Sequence, residues 1–512
     1  MRTKNAIRNI MTNLLLQFVI IIYGFVVPKI IIEKFGSDVN GLVASITQFL
    51  SYITFFESGF GAVVKAVFYK PIANKDMQSI ASVIKTSEKF FRRIALSFVL
   101  YTIVLCFVFP LITKADFDAI FTISLVVVIA ISTFAEYFFG MAYRLFLQAE
   151  QKIYVVSLIQ MITYILGVIV VVAMALLGAS VVAIELVIGL IFALRPILQN
   201  FYVKKKYNLN FEDATSSYPI KQKWDGLAQH IAWMIHGNTD VAVLTLFTNL
   251  AEVSVYSVYH LVVVAIKKII QSFNNGVDAS FGDMIAKKED ENLRKKFSVY
   301  ELLFMMIVTI VFTSTLLLIT SFISVYVKGV TDADYIRPLF GYLLVLGEYI
   351  WAIRIPYNSL IQAAGRFKET RKGAWIEAGV NIILSAILVF NFGLVGVAIG
   401  TAVAMFIRTV EFIYYANKYI LYRNVRCSVF KIMVSVIITV VVSFLGLCIV
   451  KAPLPDNYVD WIIQAVIAFL IISSITMLSY CVLYRKEMND VLKMFGRLFK
   501  RKRSEIGDGK IE

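Results

Sequence analysis

The sequence predicts an all-α polytopic membrane protein of about fourteen transmembrane helices, built as two pseudo-symmetric six-helix lobes plus two extra C-terminal helices. Three observations carry that expectation: composition, the spacing of apolar runs, and a repeat near 214 residues. Of 512 residues, 59% are hydrophobic and 16% charged, with a mean hydropathy of +0.78. Water-soluble domains carry about 25% charged residues, so a soluble fold of this length is excluded.

Apolar runs long enough for about 30 Å of hydrocarbon fall at 11–32, 39–64, 94–112, 120–147, 153–176, 180–202 and 226–247 in the first half. In the second they fall at 252–280, 298–327, 336–361, 374–391, 394–420, 429–450 and 461–484. The first run follows a basic head, Arg2, Lys4 and Arg8, as a signal peptide would. It continues for about 20 residues without a small-residue cleavage site and is expected to remain as a span.

An even number of spans puts both termini on one side, and the Lys and Arg residues test this. With a cytoplasmic N-terminus, 39 of the 50 lie in inner loops and tails, against six outside: Lys29, Lys34, Lys114, Lys328, Arg337 and Lys451. Such a bias orients the chain. It also accounts for the net charge of +16 without any nucleic-acid partner. The stretch "VLKMFGRLFKRKR" at 491–503 reads as a basic amphipathic helix on the inner leaflet.

The repeat appears as "LQAEQKIYVV" at 147–156 against "IQAAGRFKET" at 361–370, with Gly178, Ala183 and Ile184 against Gly393, Ala398 and Ile399. Both preceding spans carry Glu-Tyr followed by an arginine. Six spans therefore map onto six in parallel, with a cavity expected between the lobes. The expected organisation is an N-lobe over 1–202, a cytoplasmic linker over 203–225, a C-lobe over 226–420, two added spans over 421–484 and a basic tail over 485–512.

Five basic residues fall inside spans more than three positions from either end: Arg195, Lys267, Lys268, Arg354 and Arg408. A lysine at the centre of a membrane helix costs roughly 2.5–3.5 kcal/mol on insertion scales. Each must therefore snorkel, find an anion, or face water. Lys267 and Lys268 project about 100° apart and cannot both face one point. Pro356 follows Arg354 closely, where it would free a backbone carbonyl. Arg195 and Arg408 lie near inner helix ends where snorkelling is easy, and Glu411 at i+3 suits Arg408 as a helix-face partner. These five are the candidate substrate-binding residues. Glu57, in "FFESGFG", Asp240, with His236 one turn earlier, Glu136 and Glu348 are candidates for ion coupling or charge balance.

No nucleotide-binding loop, nucleophile elbow or metal-ligand spacing is present, so neither an enzyme nor a resident cofactor or metal is expected. The four cysteines read as small hydrophobes. A membrane glycosyltransferase or polymerase would need a sizeable outer loop, and the outer loops are short. A cation-coupled multidrug exporter would want an acidic, aromatic cavity, whereas five intramembrane bases favour an anionic cargo.

Three stretches, "KFGSDVNGLVASITQFLSYITFFESGFGAVVKAVFYKPIANKD" at 34–76, "YRLFLQAEQKIYVVSLIQ" at 143–160 and "NTDVAVLTLFTNLAEVSVYSVYHLV" at 238–262, resemble the polysaccharide transport family, the Wzx-like oligosaccharide flippases of the MOP superfamily. The resemblance implies a MATE/MOP-like pair of lobes around a cationic cavity, working by alternating access in the bacterial inner membrane. Its implied cargo is a polyprenyl-diphosphate-linked oligosaccharide for capsule or O-antigen assembly. Implied partners are the lipid bilayer, a coupling cation (H+ or Na+), and the glycosyltransferases and polymerase acting before and after. Lipid II flippases look similar but carry arginines in the first span, where this chain has Asn13 and Gln17.

Overall fold

The structure, a computed structural model, describes residues 2–113, 117–207, 209–212, 214–215, 218, 239–274, 277–366, 368–449 and 454–488. Every regular element among the described residues is helical. Eleven helices there are long and apolar enough to cross a membrane. By chain contacts the protein forms two compact units: one of Met1–Leu261, Gly329–Asp334 and Ser385–Val397, the other of Val262–Lys328, Tyr335–Leu384 and Ala398–Glu512.

The first unit opens with α1 (Arg2–Phe35). The expected span 39–64 is two helices, α2 (Ser37–Ser51) and α3 (Thr54–Asn74). The break sits in a polar stretch whose hydroxyls bond to the backbone: Ser51 Oγ donates to the Gln48 carbonyl at 2.6 Å and Thr54 Oγ1 to the Ser51 carbonyl at 2.7 Å. Such local bonds compete with helix continuation. Asp332, about 300 positions onward, caps α2 by accepting from the Ser37 amide at 2.6 Å and its hydroxyl at 2.7 Å.

At 36 residues, α4 (Met77–Ile112) is about 54 Å long, nearly twice the hydrocarbon thickness, and its first half is polar. Its N-cap is Asp76, which accepts from the Ser79 amide at 2.9 Å. Hydrogen bonds from the Ser79 hydroxyl and amide hold the Asp76 carboxyl below the usual carboxylate range. Helices α5 (Ala119–Ala135) and α6 (Met141–Ala149) are continuous through a π-helical turn, Glu136–Gly140. Then come α7 (Ile153–Leu176) and α8 (Val181–Tyr207). The unit's core gathers Leu42, Ile46, Val64, Phe68, Phe91, Phe98, Leu125, Phe146 and Ile184, all at most 1% exposed.

Of the expected span 226–247, residues 226–238, with His236, lie outside the described residues, and 239–247 are helical. The second half continues with α9 (Leu250–Asn274), α10 (Val277–Ala286), α11 (Asp290–Tyr326) and α12 (Pro338–Ala363). Next is α13 (Arg371–Tyr415), a helical hairpin folded at Gly393, whose φ of 53° and ψ of −130° suit a residue without Cβ. Asn381 reaches Thr401 at 2.8 Å, and Arg408 reaches the Thr370 carbonyl at 2.7 Å, as two antiparallel spans require. The added spans, α14 (Arg426–Ile449) and α15 (Tyr458–Leu483), pack on α11 through Leu302, Ile438, Val442, Ile472 and Tyr480. The basic stretch 491–503 lies outside the described residues.

The backbone carries the repeat as well. Left-handed residues pair as Lys75 with Lys288, Gln151 with Gly365 and Gly178 with Gly393, at separations of 213, 214 and 215. Helix ends therefore recur at the interval read from the sequence, with the residue type kept in two of the pairs and changed from Gln151 to Gly365 in the third.

Gly41 on α2 packs so closely on the start of α9 that a Cβ there would stand 1.9 Å from the Leu250 carbonyl oxygen. Gly41→Ala is expected to cost at least the roughly 1–3 kcal/mol of an overpacked core. Gly379→Ala, where a Cβ meets nothing within 4 Å, should be neutral. Thermal midpoints of the two purified variants check this; equal midpoints would refute the close approach.

Candidate functional site

The intramembrane charges of the second unit gather along α12. Lys267, on α9, places Nζ 2.9 Å from both carboxylate oxygens of Glu348 and 4.6 Å from the Trp351 ring centroid. One helical turn separates Glu348 from Trp351, so ion pair and cation–π contact hold the ammonium together. Six residues further along α12, about 9 Å, Arg354 donates to Glu377 at 2.5 Å. The same carboxylate lies 3.5 Å from Arg408, which donates to Glu411 at 2.5 Å and packs 4.2 Å from the Phe412 ring centroid.

Arg354, Glu377, Arg408 and Glu411 thus form one alternating chain of charge, its first three side chains at most 8% exposed. The hairpin in α13 makes it: Glu377 stands on the first arm, Arg408 and Glu411 on the second. Three of the five candidate bases therefore have carboxylate partners. Lys268, a neighbour of Lys267 on the helix but turned from it, has no ion-pair or hydrogen-bond partner among the described residues.

Arg195 belongs to the first unit. Its Nε donates to Thr163 Oγ1 at 2.6 Å, and its guanidinium packs 3.6 Å from the Phe192 and 4.1 Å from the Tyr164 ring centroids. Tyr23 completes the aromatic group, 5.0 Å from Tyr164 and 5.7 Å from Phe192. The Arg195 Nη2 atom is buried without a hydrogen-bond partner. Instead of snorkelling to a carboxylate, this arginine rests on aromatic faces with part of its donor set open.

The candidate acids are dispersed. Glu136, on the π-helical turn, pairs with Arg144 rather than with one of the five candidate bases. Asp240 is buried and accepts from the Tyr256 hydroxyl at 2.9 Å, with Tyr256 stacked on His260. Glu57 lies on α3, and its side chain is outside the described residues.

Sequence reading passes over two carboxylates that the structure makes central. Glu377 stands inside the expected span 374–391, a detectable signal, but its partner Arg354 is 23 positions away. Glu301, fully buried near the start of α11, accepts from Arg423 at 2.7 Å, Lys431 at 2.9 Å, Ser428 at 2.6 Å and Tyr357 at 2.7 Å. Four segments meet at this carboxylate, and its partners lie 56 to 130 positions away. No local pattern could have joined them.

Glu377→Gln removes the charge that two nearly buried arginines share, and is expected to cost about 3–5 kcal/mol. Arg354→Met combined with Glu377→Met should recover most of that loss, because Arg408 retains Glu411. A double-mutant cycle on thermal midpoints reads the coupling; additive losses would refute the shared pair.

No known family pattern matches the sequence, and no curated protein matches it. Among solved structures the chain is similar to the lipid II flippase MurJ in an inward closed conformation, with a TM-score of 0.68 at 16% identity over 93% of this chain and 100% of that one. It is also similar to an inward-facing multidrug resistance MATE family transporter of the MOP superfamily, at TM-score 0.62, 14% identity, and coverage of 82% and 98%. For the eukaryotic MATE transporter AtDTX14 the values are 0.54, 14%, 92% and 99%. At these identities the likeness shows the fold, and that fold is MATE/MOP-like.

Proposed function

We propose that the protein is a flippase that carries polyprenyl-diphosphate-linked oligosaccharide units from the inner to the outer leaflet by alternating access, for capsule or O-antigen type surface polysaccharide. One observation carries this reading: Lys268 and Arg195 are cationic side chains inside membrane spans with no carboxylate partner among the described residues. A diphosphate bearing sugars cannot cross hydrocarbon unaided and needs such charges. Arginine grips phosphate bidentately, and lysine offers a point charge that releases it.

The paired bases fit the same reading. Glu348 and Glu377 act as internal counter-ions to Lys267 and Arg354 while no substrate is present, and they limit how tightly an anion is held. The lobe division at 203–225, the bacterial inner membrane with both termini cytoplasmic, coupling to H+ or Na+, and service to glycosyltransferases and a polymerase complete the proposal. A cation-coupled exporter is the second reading, favoured by the buried Asp240 beside Tyr256 and His260. A lipid II flippase is disfavoured by Asn13 and Gln17 in the first span.

Deleting the protein should strand lipid-linked sugar units on the inner leaflet. Their arrival outside at the normal rate, with no redundant carrier, would reject the function. Lys268→Ala and Arg195→Ala each lose a charge-assisted hydrogen bond to phosphate of roughly 1.5–3 kcal/mol, or about a 10- to 100-fold loss of transport. Full transport by both at normal expression would reject these two side chains as phosphate contacts while leaving the function standing.

A further inference from the structure

A second cationic feature lies in the first unit, apart from the intramembrane charges. Lys85, Lys89, Arg92, Arg93 and Lys204 line a cleft of about 410 Å³ together with Glu88, Leu96, Tyr143 and Phe211. Four of the five bases come from α4 at positions 85, 89, 92 and 93, the i, i+4, i+7, i+8 pattern of one helix face. Lys204 reaches the same space from α8, and Tyr143 from α6. An excess of bases on one side of a membrane protein needs no site to explain it. Their convergence on one concavity from separate elements does.

The cleft is built rather than incidental. Its fourth wall is Phe211, whose described neighbours Ala214, Thr215 and Tyr218 are, with it, fastened to α4 by three side chains. Lys85 Nζ donates to the Phe211 carbonyl at 3.0 Å and the Ala214 carbonyl at 2.8 Å. Ser82 Oγ accepts from the Thr215 amide at 3.1 Å, and Thr86 Oγ1 from the Tyr218 amide at 3.0 Å. Neutral carbonyls orient the Lys85 ammonium without cancelling its charge. Arg92 packs 5.2 Å from the Phe138 ring centroid, and Lys204 lies 5.5 Å from that of Phe211. The one carboxylate, Glu88, is 3.9 Å from Arg92, too far for a close hydrogen bond. Five cations against one anion leave the cleft strongly positive.

The same face of α4 says what kind of anion would sit there. Beyond Arg93 it continues as Leu96, Leu100, Ile103, Phe107 and Leu111, every one of them between 48% and 79% exposed, a stripe suited to acyl chains. Basic cleft and lipid-facing stripe are thus consecutive on one helix, with Leu96 belonging to both. We propose that this cleft binds the phosphate of a membrane lipid headgroup, with the acyl chains lying along the α4 stripe.

The test uses the full chain purified in a neutral detergent and titrated with dihexanoyl phosphatidate, dihexanoyl phosphatidylcholine or inorganic phosphate, read by calorimetry. Phosphatidate is expected to bind at least tenfold tighter than the other two. Lys89→Gln with Arg92→Gln and Arg93→Gln should weaken it at least tenfold, and the exposed single Lys89→Gln severalfold should the triple variant fail to fold. Leu96→Gln should weaken phosphatidate and leave inorganic phosphate unchanged, whereas Lys295→Gln, a remote exposed lysine, should change neither. Phosphatidylcholine binding as tightly as phosphatidate, or unaltered binding by the charge variants, would overturn the site. Inorganic phosphate matching phosphatidate would overturn the lipid and leave free phosphate as the ligand.

Discussion

A charge buried in a span or at its inner end has to be compensated by the protein itself, and this requirement shapes the second unit more than any other. Glu377 lies between Arg354 and Arg408, Glu301 gathers Arg423 and Lys431, and Glu348 holds Lys267. Removing one partner from such a group leaves an uncompensated ion in low dielectric, a far larger penalty than the net worth of the pair. The helices that bring these residues are therefore constrained to one arrangement. The hairpin at Gly393 is what places Glu377 between its arginines, and the Glu301 group ties α14 to α11 and α12.

The backbone obeys the same rule in its own terms. Where a helix is interrupted, polar groups freed from the ladder must find other partners. Between α2 and α3 the hydroxyls of Ser51 and Thr54 take them up, and Asp332 serves the start of α2. Left-handed residues end helices at recurrent places in the two halves. The recurrence survives although Lys75 and Lys288 are not glycines and Gln151 answers Gly365. At Gln151 and Gly365 the geometry is repeated although the residue is not, because the helix end is what the architecture needs.

What the compensated charges leave over is the basis for the functional reading. Most intramembrane bases are neutralised by a carboxylate, so their number overstates how much positive charge a ligand would meet. Lys268 and Arg195 remain, the first beside a fully paired lysine and the second on aromatic faces that favour a cation without cancelling it. Paired bases stabilise, and unpaired ones are free to recognise an anion. The proposed flippase uses both properties in one scaffold.

Much was legible in the residues alone. Apolar run lengths located most of the spanning helices among the described residues, since a span must match the hydrocarbon, and the interval near 214 recurs in the positive-φ residues of the backbone. The pairing of Arg408 with Glu411 could be read too, because i and i+3 neighbours meet on any helix. The pairing of Arg354 with Glu377, and the whole Glu301 group, could not. Their members are 23 to 130 positions apart. A helix repeats its geometry every few residues, whereas the contact between two helices depends on where each turn and kink sends the chain. Hence the amino-acid order alone reveals which charges enter the membrane, and folding in three dimensions settles which are neutralised there.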